Sequence, residues 1–136
     1  VLRAKLEIAA ACHGFGKVPS HAVVTELKDR KALQLAAETA CRRLGYTRMW
    51  SIHPDQIRVI VDAFAPTTAE VDLAIEILLA AQAAGWAPIR HRDSLHDRAS
   101  YRYFWQLLQR AHRTSYHGGA QLPVEVCQAF FASGCT

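Results

Sequence analysis

A histidine between a predicted strand and a predicted helix is the first candidate for chemistry. Residues 48–52 predict a short strand that ends at Ile52. Pro54 is typical of the first residue of a helix, which we expect over 54–63. His53 would then lie at the C-terminal end of a strand, where α/β enzymes build their sites. Its ring could contact a ligand or bond nearby backbone at the turn, and the second role is favoured.

Two carboxylates follow another segment with strand character. Residues 21–27 are β-branched and almost continuously apolar, which is typical of a strand buried on both faces. Glu26 and Asp29 come at the end of this segment, so they could line the same edge as His53. Asp29 is also a preferred N-cap for a helix predicted over 30–44, and capping is the commoner role for such residues.

Helical and extended segments alternate in the first half of the chain. The two predicted strands are expected to be parallel neighbours, because crossovers through a helix are right-handed. Two parallel strands do not form a stable sheet alone, so further strands must come from an upstream segment or a partner. Apolar periodicity and capping residues predict further helices over 2–13, 68–84, 98–113 and 123–132, with 86–97 irregular or forming a short hairpin.

The charge is mildly positive, with a formal net charge of +4 over 136 residues. Arginines recur between positions 90 and 113, mostly on the helix predicted over 98–113. They could form a solvated surface, face an anionic ligand or pair with a partner's carboxylates. The aromatic residues among them have helical spacing, which indicates packing, so no nucleic-acid partner is expected.

The cysteines and histidines do not predict a metal centre. Four cysteines are far apart and share no metal-ligand spacing. His91 and His96 with Asp97, or His112 with His117, also lack the spacing of a known zinc motif. No disulfide framework is expected, because the chain has the character of a cytosolic protein.

The apolar segments and the first residues of the sequence are the features from which we predict localisation. No segment reaches the roughly 18 uncharged apolar residues that a membrane span needs, and the first residues do not resemble a signal peptide. We therefore expect a cytoplasmic protein with no membrane partner. Because the sequence starts with Val1 and reads as helix at once, a fragment or processed chain is also expected.

Three linked motifs between positions 40 and 71 carry a family resemblance. They are Leu-Gly-Tyr at 44–46, Ile-His-Pro-Asp-Gln-Ile at 52–57 and Phe-Ala-Pro-Thr-Thr-Ala-Glu-Val at 64–71. This order and spacing resembles the HpcH/HpaI aldolase and citrate lyase beta-subunit family, which includes malyl-CoA and citramalyl-CoA lyases. Upstream, Glu26 stands where the family favours aspartate. Downstream, Asp97 alone matches the end of the family's Gly-x-Met-[Ile/Val]-Asp segment, and the resemblance covers roughly residues 3–112.

The resemblance implies an α/β fold of a particular kind. The chain would be the C-terminal part of a TIM (βα)8 barrel with a helical C-terminal lid. Residues 1–66 would supply the last barrel strands and helices, residues 67–113 a helical extension and the lid, and residues 114–136 a C-terminal tail. The N-terminal half of the barrel would be the missing partner.

The resemblance also implies a reaction. The family cleaves or forms a carbon–carbon bond in a 3-hydroxyacyl-CoA of the citryl-, malyl- or citramalyl-CoA type, giving an acyl-CoA and a 2-oxo acid. The reaction depends on Mg²⁺, whose ligands are expected outside this chain, and the CoA thioester is the substrate. By this reading the chain is part of an enzyme and is inactive alone. The alternative is a non-catalytic barrel-derived fragment that serves in assembly or binding.

Site residues follow from the same resemblance. Asp97 resembles the family's catalytic aspartate, which lies on the lid and reaches a neighbouring subunit, so a homo-oligomer, a trimer or a multiple of one, is implied. An aspartate there could move a proton at the thioester's α-carbon, or it could cap the helix that follows, and both roles are compatible. The implied substrate-binding residues are Ile52, His53, Pro54, Glu26 and Asp29.

Overall fold

The computed structural model describes residues 1–115 and 122–131, which form two compact units, Val1–Phe64 and Ala65–Thr136. Each unit is considered separately below. The division of the chain at residues 66 and 113, which the resemblance implies, stays a prediction. Parts of the predicted tail, 116–121 and 132–136, lie outside the described residues, and so does His117.

The first unit consists of short strands that alternate with helices. The strands β1 and β2 are parallel neighbours, with Ser20 opposite Arg48 and His21 opposite Met49. The predicted parallel pairing is therefore confirmed. In chain order the elements are α1 (Leu2–Gly14), β1 (Ser20–His21), α2 (Arg30–Glu38), β2 (Arg48–Met49) and α3 (Pro54–Phe64).

Both strands are shorter than the sequence predicts. The segments 22–27 and 50–52, which were expected to continue the strands, are irregular. Residues 25–27 are exposed rather than buried on both faces. Within the described residues each strand has a single neighbour, so the backbone beyond the short ladder has no second strand to bond with. The apolar pattern is that of a sheet interior, but the described residues do not supply the surrounding sheet.

The helix predicted over 30–44 forms with its apolar face inward. Leu33 and Ala37 are buried on α2, which packs against α3. The helix continues into a π-helical turn, Thr39–Arg43, and Gly45 follows it with a φ of +75°. This left-handed conformation suits glycine and ends the helix where the sequence predicts.

The second unit is a helical layer with a small hairpin. The strands β3 and β4 pair antiparallel, which confirms the short hairpin in 86–97, and α4 packs against α5. Thr67 and Glu70 form the predicted capping box at the start of α4. The elements are α4 (Thr68–Ala83), β3 (Ile89–His91), β4 (Ser94–His96), α5 (Arg98–Ser115) and α6 (Val124–Phe130).

The core of this unit lies between α4 and α5. Its buried residues include Ala74, Ile77 and Leu78 on α4, and Leu107 and Leu108 on α5. Among residues 1–115 and 122–131, no helix is both long and apolar enough to cross a bilayer. Cys127 on α6 is disulfide-bonded, although no disulfide framework was expected from the sequence.

Candidate functional site

One buried amide side chain joins the segments that follow the two parallel strands. Gln56, in the first turn of α3, is only 2% exposed. Its Nε2 donates to the carbonyl oxygen of Val24 over 2.8 Å. Its Oε1 accepts from the amide of Ile52 at 3.0 Å. Because β1 and β2 are parallel, their C-terminal ends share an edge, and Gln56 holds together the loops at that edge.

Gln56 is not among the site residues predicted from the sequence. The signal that could have found it is its spacing, because Gln56 shares a helix face with the buried residues Ile60 and Ala63. A polar residue on a buried face needs hydrogen-bond partners. The irregular backbone after each strand has amide and carbonyl groups that need partners too. Gln56 is therefore a positioning residue for the loops of the first unit.

His53 lies in the loop before α3, and not at the end of a strand as predicted. β2 ends at Met49, so Trp50 and the residues up to His53 are irregular. The Nδ1 atom of His53 accepts a hydrogen bond from the amide of Asp55 at 3.2 Å. This contact at the first turn of α3 agrees with the structural role that the sequence favours. In the neutral ring, Nε2 then carries the proton and has no partner in the described part of the chain.

The other predicted substrate-binding residues are exposed. Ile52 is 58% exposed, and Pro54 is the first residue of α3, as predicted. Asp29 accepts a hydrogen bond from the amide of Ala32 at 2.9 Å, so it caps α2. Glu26 lies in the irregular segment after β1 instead of at a strand end, and within the described residues its carboxylate has no hydrogen bond or ion pair.

A second histidine of the first unit is buried. His21, in β1, is 7% exposed and lies edge to face with Tyr46, with ring centroids 5.1 Å apart. Its Nε2 is 2.8 Å from the Nζ atom of Lys5, and its Nδ1 is 3.0 Å from the carbonyl oxygen of Ala22. Because an ammonium only donates, Nε2 accepts and the Nδ1 proton is donated to Ala22.

The surroundings of His21 favour the neutral ring. Burial lowers its pKa below the usual 6.5, and the nearby positive charge of Lys5 lowers it further, while the Ala22 carbonyl opposes the shift. The Tyr46 hydroxyl donates to the carbonyl oxygen of Lys5 at 2.9 Å, which connects α1 to the same cluster. His21 therefore joins α1 to the parallel strands.

Asp97 lies in the second unit, directly before α5. Its Oδ1 accepts from the amides of Ala99 at 3.0 Å and Ser100 at 3.4 Å. The Ser100 hydroxyl in turn accepts from the amide of Asp97 at 3.0 Å. Asp97 is thus an N-cap, one of the two roles expected of it. Its Oδ2 is not bonded by any residue in 1–115 or 122–131, and the side chain is exposed.

The described residues do not assemble a site for magnesium. Within 1–115 and 122–131, no group of three or more histidine, cysteine, aspartate or glutamate side chains is close enough to hold a metal ion. Magnesium needs several oxygen ligands in octahedral geometry. His91 lies 3.0 Å from a carboxylate oxygen of Glu76, and Arg92 reaches the same oxygen at 3.1 Å, so this glutamate is already engaged by two side chains.

Similar proteins of known name indicate the family to which this chain is related. No protein-family model matches the chain. An L-malyl-CoA/β-methylmalyl-CoA lyase from Rhodobacter capsulatus is 32% identical over 102 residues, 73% of this chain and 32% of the lyase. A citrate lyase subunit beta-like protein from Deinococcus radiodurans is 37% identical over 84 residues, 62% of this chain and 29% of its own.

Two solved structures share the fold. A citrate lyase from Burkholderia xenovorans LB400 is 56% identical with a TM-score of 0.72, over 95% of this chain and 39% of that one. The protein CitE from Mycobacterium tuberculosis, solved with magnesium, acetoacetate and coenzyme A, is 25% identical with a TM-score of 0.66, over 80% of this chain and 40% of that one.

Each of these matches covers less than half of the relative's own chain. The chain spans about a third of the length of the lyases it matches. Its helix-rich α/β fold is that of citrate lyase structures. The resemblance identified in the sequence is therefore confirmed: over its matched length, the chain is a relative of the citrate lyase beta-like proteins and malyl-CoA lyases.

Proposed function

We propose that this chain is the C-terminal part of a lyase that cleaves or forms a carbon–carbon bond in a 3-hydroxyacyl-CoA. The substrate would be of the citryl-, malyl- or citramalyl-CoA type, and the products an acyl-CoA and a 2-oxo acid. The observation that carries the proposal is the parallel pair β1 and β2, each followed by a helix, with Gln56 joining the loops after both strands. Successive βα units with functional loops after the strands are the building plan of a TIM barrel.

The rest of the barrel would come from sequence outside this chain. Apolar side chains exposed on the first unit support that part of the proposal. The strands of a parallel sheet and the helices beside them normally bury their apolar surface against further strands and helices. Leu35 on α2 is 66% exposed, and Trp50 after β2 is 66% exposed. The magnesium ligands would belong to the same missing part, since the described residues do not fit the ion.

Asp97 is the residue of this chain to which we assign proton transfer. Cleavage of the C2–C3 bond turns the 3-hydroxyl into the keto group of the 2-oxo acid, with loss of the hydroxyl proton to a base that would lie outside this chain. The bonding electrons stay on the thioester's α-carbon, and a proton must be delivered there. One carboxylate oxygen of Asp97 caps α5, which holds the side chain in place, while Oδ2 stays available for the proton. In the assembled protein α5 would belong to a lid that reaches a neighbouring subunit of a homo-oligomer.

Residues of the first unit would contact the substrate. His53 offers its Nε2 atom, which has no partner among the described residues, and Ile52 offers exposed apolar surface next to it. The glutamate at position 26 has an uncommitted carboxylate at the same edge. These contacts would serve the CoA arm, and magnesium would supply charge stabilisation when bound elsewhere in the site.

A chimera tests the proposal directly. This chain would replace the matching segment of the Burkholderia xenovorans citrate lyase, to which it is 56% identical. The assay would measure Mg²⁺-dependent cleavage of citryl-, malyl- and citramalyl-CoA by the parent, the chimera and this chain alone. We expect the chimera to cleave whichever thioester the parent cleaves, and this chain alone to cleave none.

The same assay separates the second candidate function, a non-catalytic assembly or binding fragment. The exposed apolar residues of the first unit would equally suit a scaffold that only binds a partner. A chimera that assembles to the parent's oligomeric state but has no lyase activity would favour this candidate. Cleavage by the 136-residue chain alone would contradict the proposal that the missing half is required.

A further inference from the structure

The hairpin of the second unit is bonded at both ends by side chains from the helices. At its turn, Glu76 on α4 accepts from Arg92 at 3.1 Å and lies 3.0 Å from the Nε2 atom of His91. At its open end, Tyr101 on α5 bonds to the backbone on both sides. A two-stranded hairpin is marginally stable by itself, so its position in the unit depends on such contacts. Asp97, to which we assign proton transfer, follows the hairpin directly at the open end.

The Tyr101 hydroxyl joins the start and the end of the hairpin. It donates to the carbonyl oxygen of Ala87, which precedes β3, over 2.7 Å. The carbonyl oxygen of His96, the last residue of β4, lies 3.2 Å from the same hydroxyl. A phenol has one proton to donate, so the two carbonyl groups share it. One side chain therefore connects both strands of the hairpin to α5.

Tyr101 also bonds to Asp97 through its backbone. The amide of Tyr101 donates to the carbonyl oxygen of Asp97 at 2.9 Å, in the first turn of α5. The carbonyl group of His96 belongs to the peptide before the Cα of Asp97, and the carbonyl group of Asp97 belongs to the peptide after it. Tyr101 thus bonds to both peptide groups that flank the Asp97 Cα, one through its hydroxyl and the other through its amide.

The ring of Tyr101 is fixed by its surroundings. The residue is 5% exposed, and its ring lies edge to face with that of Trp86, with centroids 6.1 Å apart. Close packing of this kind leaves a buried ring little freedom to move. The hydroxyl is therefore a fixed point to which the end of β4 is bonded.

We propose that Tyr101 is a positioning residue for Asp97 in the lyase reaction. The cap bonds of Asp97 hold its Oδ1 on α5, and Tyr101 holds the backbone from which the side chain extends. Catalysis depends on such placement, since a displacement of about 1 Å can cost about 10²-fold in rate. The inference rests on the proposed proton transfer by Asp97, and Tyr101 itself contacts no substrate in it.

Tyr101→Phe in the active chimera tests this role. Phenylalanine keeps the buried ring and the amide that bonds to Asp97, and it lacks only the hydroxyl. We expect kcat for the thioester that the chimera cleaves to fall about tenfold or more. KM should change by less than about twofold, because no substrate contact is lost.

Tyr103→Phe is the matched control for that substitution. It removes the same hydroxyl group from the same helix. Tyr103 is 55% exposed, and its hydroxyl has no hydrogen bond among the described residues. This variant should keep the kcat of the unsubstituted chimera.

A double substitution shows whether Tyr101 acts through Asp97. A chimera that carries Asp97→Asn has no carboxylate left to position at this site. Adding Tyr101→Phe to it should lower kcat by less than about twofold, a smaller loss than the same change causes when Asp97 is present. A merely structural role would lower kcat by the same factor in both backgrounds.

Amide hydrogen exchange of this chain tests the hold on the backbone without catalysis. The amide of Asp97 donates to the Ser100 hydroxyl and lies in the peptide whose carbonyl group Tyr101 bonds. Its exchange should be about two- to tenfold faster in Tyr101→Phe and unchanged in Tyr103→Phe. Full activity of Asp97→Asn would contradict the proton transfer and the catalytic part of this inference, whereas the exchange result decides on the hold itself.

Four outcomes would overturn the inference. One is an unchanged kcat of Tyr101→Phe in a chimera whose kcat Asp97→Asn lowers. Another is a raised KM with unchanged kcat, which would indicate that Tyr101 contacts substrate. The third is an equal loss of kcat on Tyr101→Phe with and without Asp97→Asn. The last is exchange at the Asp97 amide that is as slow in Tyr101→Phe as in the unsubstituted chain.

Discussion

Gln56 donates its Nε2 proton to the carbonyl oxygen of Val24 over 2.8 Å, across 32 positions of the chain. Through its other side-chain atom, Oε1, it also accepts from the amide of Ile52. A single buried side chain thereby positions the loop after each parallel strand. The edge that we assign to substrate contact therefore depends on a residue that contacts no substrate in our proposal.

Replacing Gln56 by leucine should loosen this edge. Leucine keeps the apolar contacts on α3 but leaves the Val24 carbonyl and the Ile52 amide without their partner. We expect a loss of about 1–3 kcal/mol in the free energy of unfolding of the first unit. Amide hydrogen exchange at Ile52 should become faster in the same variant.

Gln34 provides the matched control for that substitution. It is an exposed glutamine on α2 whose side chain bonds, among the residues that the structure describes, only to Glu38, one turn away. Gln34→Leu should change stability by no more than about 0.5 kcal/mol. Equal effects of the two substitutions would show that the buried amide of Gln56 does not hold the loops.

His21 should make the first unit less stable in mild acid. Its pKa in the folded protein is lowered, chiefly by burial, so the unfolded chain binds the proton more readily. The stabilisation by the neutral ring is complete above the unfolded pKa of about 6.5 and is lost as the pH falls through the lower folded value. An NMR titration should show a His21 midpoint below 6.5, and unfolding free energies at pH 7.5 and pH 5 should differ.

A His21→Gln variant isolates this contribution. Glutamine can still bond to Lys5 and Ala22 but does not titrate. The pH dependence of stability between the unfolded and folded pKa values should become flatter than in the unmodified chain. An unchanged slope would assign that dependence to other groups.

The predictions succeeded where neighbouring residues decide the structure. Asp29 caps α2, Pro54 opens α3, and Thr67 with Glu70 forms a capping box, because each of these depends on side chains within one helical turn. The parallel order of β1 and β2 was also predicted, since a helical crossover determines it.

The predictions failed where distant residues decide the structure. Residues 22–27 have the composition of a strand buried inside a parallel sheet but are irregular, because such a sheet interior needs strands on both sides and the described chain provides one neighbour. The pairing of Gln56 with Val24 joins residues far apart in sequence, and no local pattern specifies the partner.

Any side chain at Gly45 should lower stability, because of the backbone conformation there. Its φ is +75°, and a Cβ built there would come no closer than 3.8 Å to the His13 ring, an ordinary contact. Gly45→Ala should therefore cost about 1–2 kcal/mol through the left-handed backbone alone. Gly14, at the end of α1, has open space around it and no positive φ. Gly14→Ala should be neutral or stabilise by up to about 1 kcal/mol, as measured by thermal or urea unfolding.

Asp97 can be tested for capping and for proton transfer by two substitutions. Asn and Asp are both good N-caps, so Asp97→Asn should keep the stability of the second unit, whereas Asp97→Ala should lose about 0.5–2 kcal/mol. Asparagine cannot exchange a proton, and general acid–base groups contribute about 10²- to 10⁴-fold to rate. In the active chimera, both substitutions should therefore lower kcat by that order.

The two variants together distinguish the roles, because stability and rate respond differently to them. If Asp97 only capped α5, the asparagine variant would keep full activity, and activity in the alanine variant would fall only as far as folding does. In the asparagine variant, an unchanged midpoint of unfolding would show that the cap is kept. A large loss of kcat in the same variant would assign proton transfer to Oδ2, the oxygen that no described residue bonds.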